Sequence, residues 1–277
     1  METEKVHPTK EKETLLIALY ARALESRSPD PVLRDKWAED AIHRIDYDFG
    51  RLKTSKVHPL SIAIRAKQFD IWTAEWIAAN PDSTVLHLGC GMDSRVYRLD
   101  PPAAVRWFDV DYPEVIELRR RLYPAQSPNG ERAGYRMIGS SLADSGWLDE
   151  VPADRPAMIV AEGVMMYLTE DVVKPLLNRL TDHFPSGQMA FDALCRLGAR
   201  LAKTDRSVRV TGATFAWGID DPQSIKALDP KLELIAELKT SEMPGYSRLP
   251  WALRTVVRIM EPFPTLRRMN RLLRYRF

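Results

Sequence analysis

The feature that most restricts the fold of this chain is an alternation of short apolar segments with helical patterns between residues 84 and 194. Five segments are rich in β-branched and apolar residues, and helix-like stretches separate them. This alternation is typical of a parallel sheet covered by helices on both faces, because parallel strands need long crossover connections that are usually helical. The predicted strands are TVLHLG, AVRWFDV, GYRMIG, AMIVAEG and GQMAFDAL.

The segments on either side complete the predicted α/β fold. Residues 14 to 80 have mainly helical patterns, and Asn80-Pro81 is a stop signal for the last helix. Residues 196 to 230 fit the alternation less well, and we interpret them as an insertion after the fifth strand. LELIAELKT and RLLRYRF are predicted closing strands, with PWALRTVVRIM as a helix between them. The sequence therefore predicts a sheet of seven strands.

A single domain is expected over residues 1–277, because this length with 45% hydrophobic residues is enough for one substantial core. Within this domain, residues 1–80 are predicted to form a helical cap over the carboxyl ends of the strands. Residues 81–194 are predicted to form the ligand-binding core, and residues 195–277 contain the insertion and the closing strands.

The composition excludes some classes of partner. The 40 basic and 38 acidic residues give a net charge of +2, too small to drive binding to a phosphate backbone, so nucleic acid is not expected. No apolar run is long enough to span a bilayer and no secretory signal is recognisable, so we expect a cytoplasmic protein without a membrane partner. Cys90 and Cys195 lack the spacing of a metal site, and no metal is expected. The oligomeric state stays open.

The strongest ligand signal is TVLHLGCGMDSRVYRL, in which the first strand leads through Gly89 and Gly91 toward a helix. Glycine lets the backbone approach a ligand closely, and nucleotide-like ligands bind at this end of an open parallel sheet. A plain tight turn is the alternative. Asp109 and Asp111 end the next strand, where an acid accepts hydrogen bonds from ribose hydroxyls.

The identity of the ligand depends on Ser94, which stands where a dinucleotide fingerprint has its third glycine. A pyrophosphate needs that close backbone approach, whereas an adenosyl amino acid does not. The sequence therefore favours S-adenosylmethionine over NAD as the cofactor.

Several segments resemble a known family. VLHLGCGMDSRVYRL, WFDVDYPEVIELR and VAEGVMMYL are similar to the successive motifs of the leucine carboxyl methyltransferase family, a branch of the class I methyltransferases. RALESRSPDPVLRDKWAED, FAWGIDDP and LLRYRF resemble its tetracenomycin-type polyketide O-methyltransferase subgroup. The resemblance spans residues 14–277. It implies a Rossmann-like class I methyltransferase fold with an N-terminal helical lid, and S-adenosylmethionine-dependent O-methylation.

The resemblance also implies roles for particular residues. Arg65 is assigned to the methionyl carboxylate of the cofactor, although an arginine on a solvated helix face is the alternative. Gly89 and Gly91 would pass beneath the amino-acid portion. Asp111 matches the family's ribose-binding acid because it directly precedes Tyr-Pro-Glu-Val, which leaves Asp109 as a turn or supporting residue.

Two further segments belong to the implied site. Glu162 ends the fourth strand, where it would accept a hydrogen bond from the cofactor's ammonium, and an exposed glutamate at a helix start is the alternative. Ser141 and Leu142 follow the third strand and are assigned to the adenine environment. Here Ser140, Ser141 and Leu142 replace the acid followed by leucine that is frequent in the family, so no residue is assigned to the adenine amino group.

The chemistry of methyl transfer limits the acceptor. A carboxylate, with a pKa near 4, needs no general base at neutral pH, whereas a phenol, near 10, needs a base or a lowered pKa. No pairing of a histidine with an acid is recognisable, and His87 and His183 are predicted to be structural. We therefore predict methylation of a carboxylate or acidic phenol on a small molecule, polyketide-like or aromatic.

Two alternative functions stay open. One is a cofactor-binding regulatory or interaction protein without turnover, and the other is a nicotinamide-dependent oxidoreductase. The arginine-rich stretch from residue 252, which contains Glu261 as its one acid, is typical either of a surface for an acidic partner or of solvated faces.

Overall fold

The segments predicted as strands form one seven-stranded sheet in the computed structural model, which describes residues 4–5, 10–51, 58–123, 126–127, 130–131, 134–202 and 215–277. The strands are β1 (Thr84–Leu88), β2 (Arg106–Asp111), β3 (Tyr135–Gly139), β4 (Ala157–Ala161), β5 (Gly187–Leu194), β6 (Glu233–Lys239) and β7 (Asn270–Arg276). Their order is β3-β2-β1-β4-β5-β7-β6, and β7 runs antiparallel to both of its neighbours. The predicted mostly parallel sheet is confirmed.

The two faces of the sheet bury separate apolar cores. Val85 on β1 belongs to the core beneath the N-terminal helices, together with Phe69 and Trp76. The next residue, Leu86, belongs to the opposite core with Leu177, because successive side chains of a strand point to opposite faces. Every residue of β1 and β4 is buried, as expected for central strands covered on both sides.

Helices flank the sheet on both faces. They are α1 (Lys10–Ser26), α2 (Lys36–Arg44), α3 (His58–Ala79), α4 (Arg95–Leu99), α5 (Pro113–Leu122), α6 (Glu170–His183), α7 (Arg196–Ala202), α8 (Trp251–Met260) and α9 (Pro264–Arg267). Single 3₁₀ turns occur at Phe49–Arg51, Gly146–Glu150, Met165–Tyr167, Pro222–Ala227, Thr240–Glu242 and Tyr246–Arg248. Two-residue strands pair Glu4–Lys5 with Ile45–Asp46, and Gln126–Ser127 with Gly130–Glu131.

The region of residues 14–80, predicted to be mainly helical, is interrupted after its first helix. Helix α1 ends at Ser26, and α2 begins only at Lys36. Arg34 has a left-handed φ of 58°, which a continuous helix does not allow. Asp35 then caps α2, because its carboxylate accepts a hydrogen bond from the Ala38 N–H at 2.9 Å.

The N-terminal helices cover the carboxyl ends of the central strands, as the predicted lid requires. Helix α1 packs against α2 and α3, and Arg22 of α1 reaches Asp93 after β1 and Glu162 after β4. The predicted insertion contains α7 and the turn Pro222–Ala227, while its residues 203–214 lie outside the described part of the chain. Among the described helices, none has the length and apolar character needed to cross a bilayer.

Candidate cofactor-binding site

The turn that follows β1 depends on its two glycines. Gly89 and Gly91 have φ values of 56° and 48°, in the left-handed region that side chains disfavour. A Cβ atom at Gly89 would lie 2.3 Å from Cγ2 of Val164, and one at Gly91 would lie 2.9 Å from Cδ2 of Leu15. Backbone conformation and close packing therefore both require glycine here, independently of any ligand.

Asp111 is fixed at the same edge of the sheet. Its Oδ2 accepts a hydrogen bond from the Gly91 N–H and its Oδ1 accepts one from the Tyr112 N–H, both at 2.7 Å. Burial raises the pKa of this carboxyl group, although the two backbone donors oppose the effect. The glycine turn and the predicted ribose acid are therefore joined directly.

Asp109 has a different role. Its carboxylate forms a fully buried ion pair with Arg119 and accepts hydrogen bonds from Trp107 Nε1 at 2.8 Å and the Tyr135 hydroxyl at 2.7 Å. Burial opposes its ionisation, but Arg119 and His87 lower the pKa of the Asp109 carboxyl group. It lies inside β2 and not in a turn, and it holds the helix α5 against the sheet through Arg119.

Arg65 lies beside Glu162, as the sequence predicted for two residues of one site. Its Nε donates to Glu162 Oε1 at 3.1 Å and its Nη1 donates to Asp192 Oδ2 at 2.9 Å. Its side chain is 23% exposed, and Nη2 makes no hydrogen bond to the described residues. The alternative of an arginine on a solvated helix face is therefore wrong.

Glu162 is the meeting point of three arginines. Its carboxylate contacts Arg22, Arg65 and Arg95, and its side chain is only 1% exposed. Burial opposes ionisation, but the three guanidinium groups overcome it and lower the pKa of Glu162 to about 2. The alternative of an exposed glutamate at a helix start is wrong.

These contacts belong to a larger buried network, which we call the arginine–carboxylate cluster. It consists of Arg22, Arg65, Arg95, Arg98, Asp35, Asp70, Asp93, Glu162 and Asp192. Sequence analysis missed most of these residues. Asp192 was recognisable in principle, because it lies near the carboxyl end of a parallel strand like Asp111. It also accepts a hydrogen bond from the Gly163 N–H at 2.6 Å.

Ser141 and Leu142 lie next to Asp111, after β3. The Ser140 N–H donates to the Asp111 carbonyl at 2.8 Å, which ties this segment to the end of β2. The Ser141 hydroxyl accepts from the Ala143 N–H at 3.2 Å, and the Leu142 side chain packs in the core above α6. All seven residues predicted for the site thus lie at the carboxyl edge of the sheet or on the helix that covers it.

The histidines whose side chains are described have structural contacts. His87 is buried between Asp109 and Arg95, and His183 contacts the Val151 carbonyl at 2.7 Å. His43 contacts Arg27. Within the described residues, no group of histidine, cysteine and acidic side chains is arranged to hold a metal ion.

The residues present fit an adenosyl amino acid. The Arg65 side chain is partly exposed and its Nη2 has no partner among the described residues, so it can donate to a carboxylate. Each Asp111 oxygen keeps a second acceptor site beside its backbone hydrogen bond. The glycine turn contacts Asp111 directly through the Gly91 N–H. Glu162 fits an ammonium less freely, because three guanidinium groups already occupy most of its acceptor sites.

Comparison with known proteins identifies the family. The sequence profile of the leucine carboxyl methyltransferase family matches residues 15–181. The chain belongs to the leucine carboxyl methyltransferase family. As the resemblance implied, it is an S-adenosylmethionine-dependent methyltransferase, and the predicted cofactor is confirmed.

Relatives of similar sequence are methyltransferases. The chain is 44% identical over 274 residues, 99% of each chain, to the tetracenomycin polyketide synthesis O-methyltransferase TcmP of Streptomyces glaucescens. It is 37% identical over 246 residues, 83% of this chain and 82% of the relative, to the S-adenosyl-L-methionine-dependent methyltransferase dpfgK of Gibberella zeae. The predicted subgroup is thereby confirmed.

Solved structures show the same fold at low sequence identity. A DUF574 family protein from Streptomyces avermitilis superimposes with a TM-score of 0.60 at 12% identity, covering 97% of this chain and 98% of that one. Magnesium protoporphyrin IX methyltransferase from Synechocystis with bound S-adenosylhomocysteine gives a TM-score of 0.51 at 14% identity, covering 86% and 93%. These likenesses confirm the Rossmann-like methyltransferase fold.

Proposed function

We propose that this methyltransferase transfers the methyl group of S-adenosylmethionine to an oxygen of a small acidic molecule, a carboxylate or acidic phenol of a polyketide-like or aromatic metabolite. The observation that carries the proposal is the 44% identity, over 99% of both chains, to a polyketide O-methyltransferase. The small net charge of +2 gives no support to nucleic acid as a partner. A cytoplasmic location remains an expectation from the sequence.

The amino-acid end of the cofactor is assigned to Arg65 and Glu162. The Nε and Nη1 atoms of Arg65 donate to Glu162 and Asp192, so Nη2 would donate to the methionyl carboxylate. Glu162 would accept from the ammonium with the acceptor site that the arginines leave. Gly89 and Gly91 would lie beneath this portion, because their left-handed turn follows β1 at the carboxyl edge of the sheet.

The nucleoside end is assigned to the ends of β2 and β3. Asp111 would accept hydrogen bonds from the ribose hydroxyls, and its two backbone donors hold the carboxylate in place for that contact. Ser141 and Leu142 would border the adenine, with Leu142 supplying an apolar surface. In one domain, residues 1–80 would form the cap, residues 81–194 the cofactor-binding core, and residues 195–277 the insertion and the closing strands.

Methyl transfer requires the protein mainly to place the methyl donor and the acceptor next to each other. When bound, S-adenosylmethionine supplies a methyl group activated by a sulfonium. The chain would hold the acceptor oxygen against that group and would exclude water under the N-terminal helices. The histidines whose side chains are described contact other residues of the fold: His43 contacts Arg27, His87 contacts Asp109, and His183 contacts the Val151 carbonyl. This supports an acceptor that is already ionised at neutral pH.

Binding and turnover are tested separately. Calorimetry should show binding of S-adenosylhomocysteine that is much tighter than binding of NAD, and the reverse preference would contradict the cofactor assignment. Transfer of a radiolabelled methyl group should then be detected within a panel of aromatic acids and phenols. Tight cofactor binding without transfer to any of them would favour the regulatory alternative.

Substitutions test the assigned contacts. Loss of a charge-assisted hydrogen bond costs about 1.5 to 3 kcal/mol, so Arg65→Ala and Asp111→Ala should each weaken S-adenosylhomocysteine binding by about tenfold or more. Arg65→Lys keeps the charge but loses the planar fork, and it should recover part of the affinity. His183→Ala is the matched control and should bind normally. Thermal melting of each variant checks that the fold is retained.

A further inference from the structure

A pocket lined by arginines, which we call the arginine pocket, lies outside the residues assigned to the cofactor. It has a volume of about 400 Å³ and lies where α7 and α9 meet, just after the carboxyl end of β5. Arg196, Arg200, Arg268 and Asp220 line it, together with apolar surface from Leu197 and Pro264. None of the residues assigned to the cofactor contributes to this lining.

The pocket carries excess positive charge. The guanidinium groups of Arg196 and Arg200 are exposed and form no ion pair with any described residue. Arg268 is held loosely, with its Nε 3.6 Å from Glu237 Oε1 and its Nη1 3.4 Å from the Asp220 carbonyl. Asp220 is the one acid of the lining, and its Oδ1 already accepts from the Arg196 N–H at 2.9 Å. Three cations thus face one carboxylate, which suits a planar anion such as a carboxylate.

One segment, residues 215–220, runs from the cofactor site to this pocket. At its start, Phe215 stacks on Tyr167, with ring centroids 5.0 Å apart. Tyr167 lies close enough to Arg65 for that charge to lower its pKa, against the larger effect of burial, which raises it. At its end, Asp220 lines the arginine pocket. The five residue steps from Phe215 to Asp220 span at most about 17 Å.

The segment is fixed to the 3₁₀ turn that follows β4 and to the carboxyl end of β5. The Ala216 N–H donates to the Met166 carbonyl at 2.8 Å, and the Ile219 N–H donates to the Leu194 carbonyl at 2.9 Å. Asp192 on β5 contacts Arg65, and Cys195, which directly follows β5, lines the pocket. Three residues of chain separate these two positions by at most about 10 Å. The cofactor site and the pocket are therefore within reach of one elongated molecule.

We propose that the methyl acceptor is an elongated aromatic acid with two anionic groups. One group lies at the cofactor site and receives the methyl group, while the other is held by Arg196, Arg200 and Arg268. Tyr167 and Phe215 give the rings between them a partly exposed aromatic surface for stacking. This inference rests on the proposed function and adds the class of acceptor to it.

The test compares anthracene dicarboxylate with anthracene monocarboxylate, each titrated calorimetrically into protein saturated with S-adenosylhomocysteine. The dicarboxylate should bind at least tenfold more tightly to the unsubstituted protein, because it adds charge-assisted hydrogen bonds in the pocket. Arg200→Gln should remove this preference and leave the affinity for the monocarboxylate unchanged. Arg136→Gln is the matched control, because Arg136 is likewise exposed and unpaired among the described residues but lies on the edge strand β3.

Each result has a definite meaning. Equal binding of the two anthracene acids, or a preference that survives Arg200→Gln, would overturn the inference. Displacement of the dicarboxylate by inorganic phosphate at equal concentration would show a general anion site and would also overturn it. In these cases, methyl transfer to a monocarboxylate would leave the proposed function intact. Failure of the protein to bind S-adenosylhomocysteine would instead contradict the proposed function.

Discussion

Replacing Glu162 by glutamine tests the arginine–carboxylate cluster most directly. Glutamine has the shape of the protonated glutamate but no charge, so three guanidinium groups lose a shared partner. Each of them keeps another carboxylate, because Arg22 and Arg95 contact Asp93, and Arg65 contacts Asp192. We therefore expect a folded but destabilised protein.

The magnitude follows from the pKa of Glu162, which is lowered from its usual 4.5 to about 2. This difference corresponds to about 3 kcal/mol of folding free energy at pH 7, since each pKa unit is worth about 1.4 kcal/mol. The same value lies at the lower end of the roughly 3 to 5 kcal/mol measured when a buried ion pair loses one partner. Because the pKa is lowered in the folded state, the stabilisation is complete above pH 4.5 and is lost as the pH falls toward 2.

Urea denaturation at two pH values measures this contribution. Glu162→Gln should lower the free energy of unfolding by about 3 kcal/mol at pH 7 and by only about 1 kcal/mol at pH 3, where the unfolded chain already binds the proton. Glu117→Gln is the control, since Glu117 forms an exposed pair with Arg121, and its stability should be unchanged. A loss below 1 kcal/mol at pH 7, or the same loss at both pH values, would refute the reasoning.

Three further predictions concern the glycine turn, the two acids of β2 and the N-terminal cap. Gly91→Ala should cost at least about 1 kcal/mol from its left-handed φ alone and weaken S-adenosylhomocysteine binding, whereas Gly146→Ala, with open space around it, should be neutral in denaturation and calorimetry. Asp109→Asn should lower stability by about 3 to 5 kcal/mol, whereas Asp111→Asn should mainly weaken S-adenosylhomocysteine binding; equal effects on stability would contradict their separate roles. Hydrogen exchange across residues 15–50 should slow when S-adenosylhomocysteine binds, and unchanged protection under saturating ligand would count against a lid.

Strand positions and cofactor class were accessible from the sequence because they depend on local patterns. Burial on both faces makes a central strand such as AMIVA apolar throughout, and a left-handed turn between strand and helix requires Gly89 and Gly91. These constraints act on residues that are neighbours along the chain, so they can be recognised in the amino-acid sequence. The motifs around these residues were sufficient to identify the family.

The roles of individual charged residues were decided by the tertiary structure. Asp109 and Asp111 both stand at the end of the second predicted strand. In the structure, Asp109 is buried against Arg119, whereas Asp111 lies at the carboxyl edge of the sheet. The start of α2 likewise depended on the conformation of Arg34, which the apolar spacing did not reveal.

The arginine–carboxylate cluster and the arginine pocket depend even more on the fold. Arg22 and Glu162 are 140 positions apart, and only the packing of α1 over the ends of β1 and β4 brings them into contact. In the same way, α7 and α9 enclose the pocket although a large part of the chain separates them. The sequence determines which segments are buried, because burial is encoded by local periodicity. Which charges meet is settled only when distant segments pack, because an ion pair depends on distance in space and leaves no periodic signal along the chain.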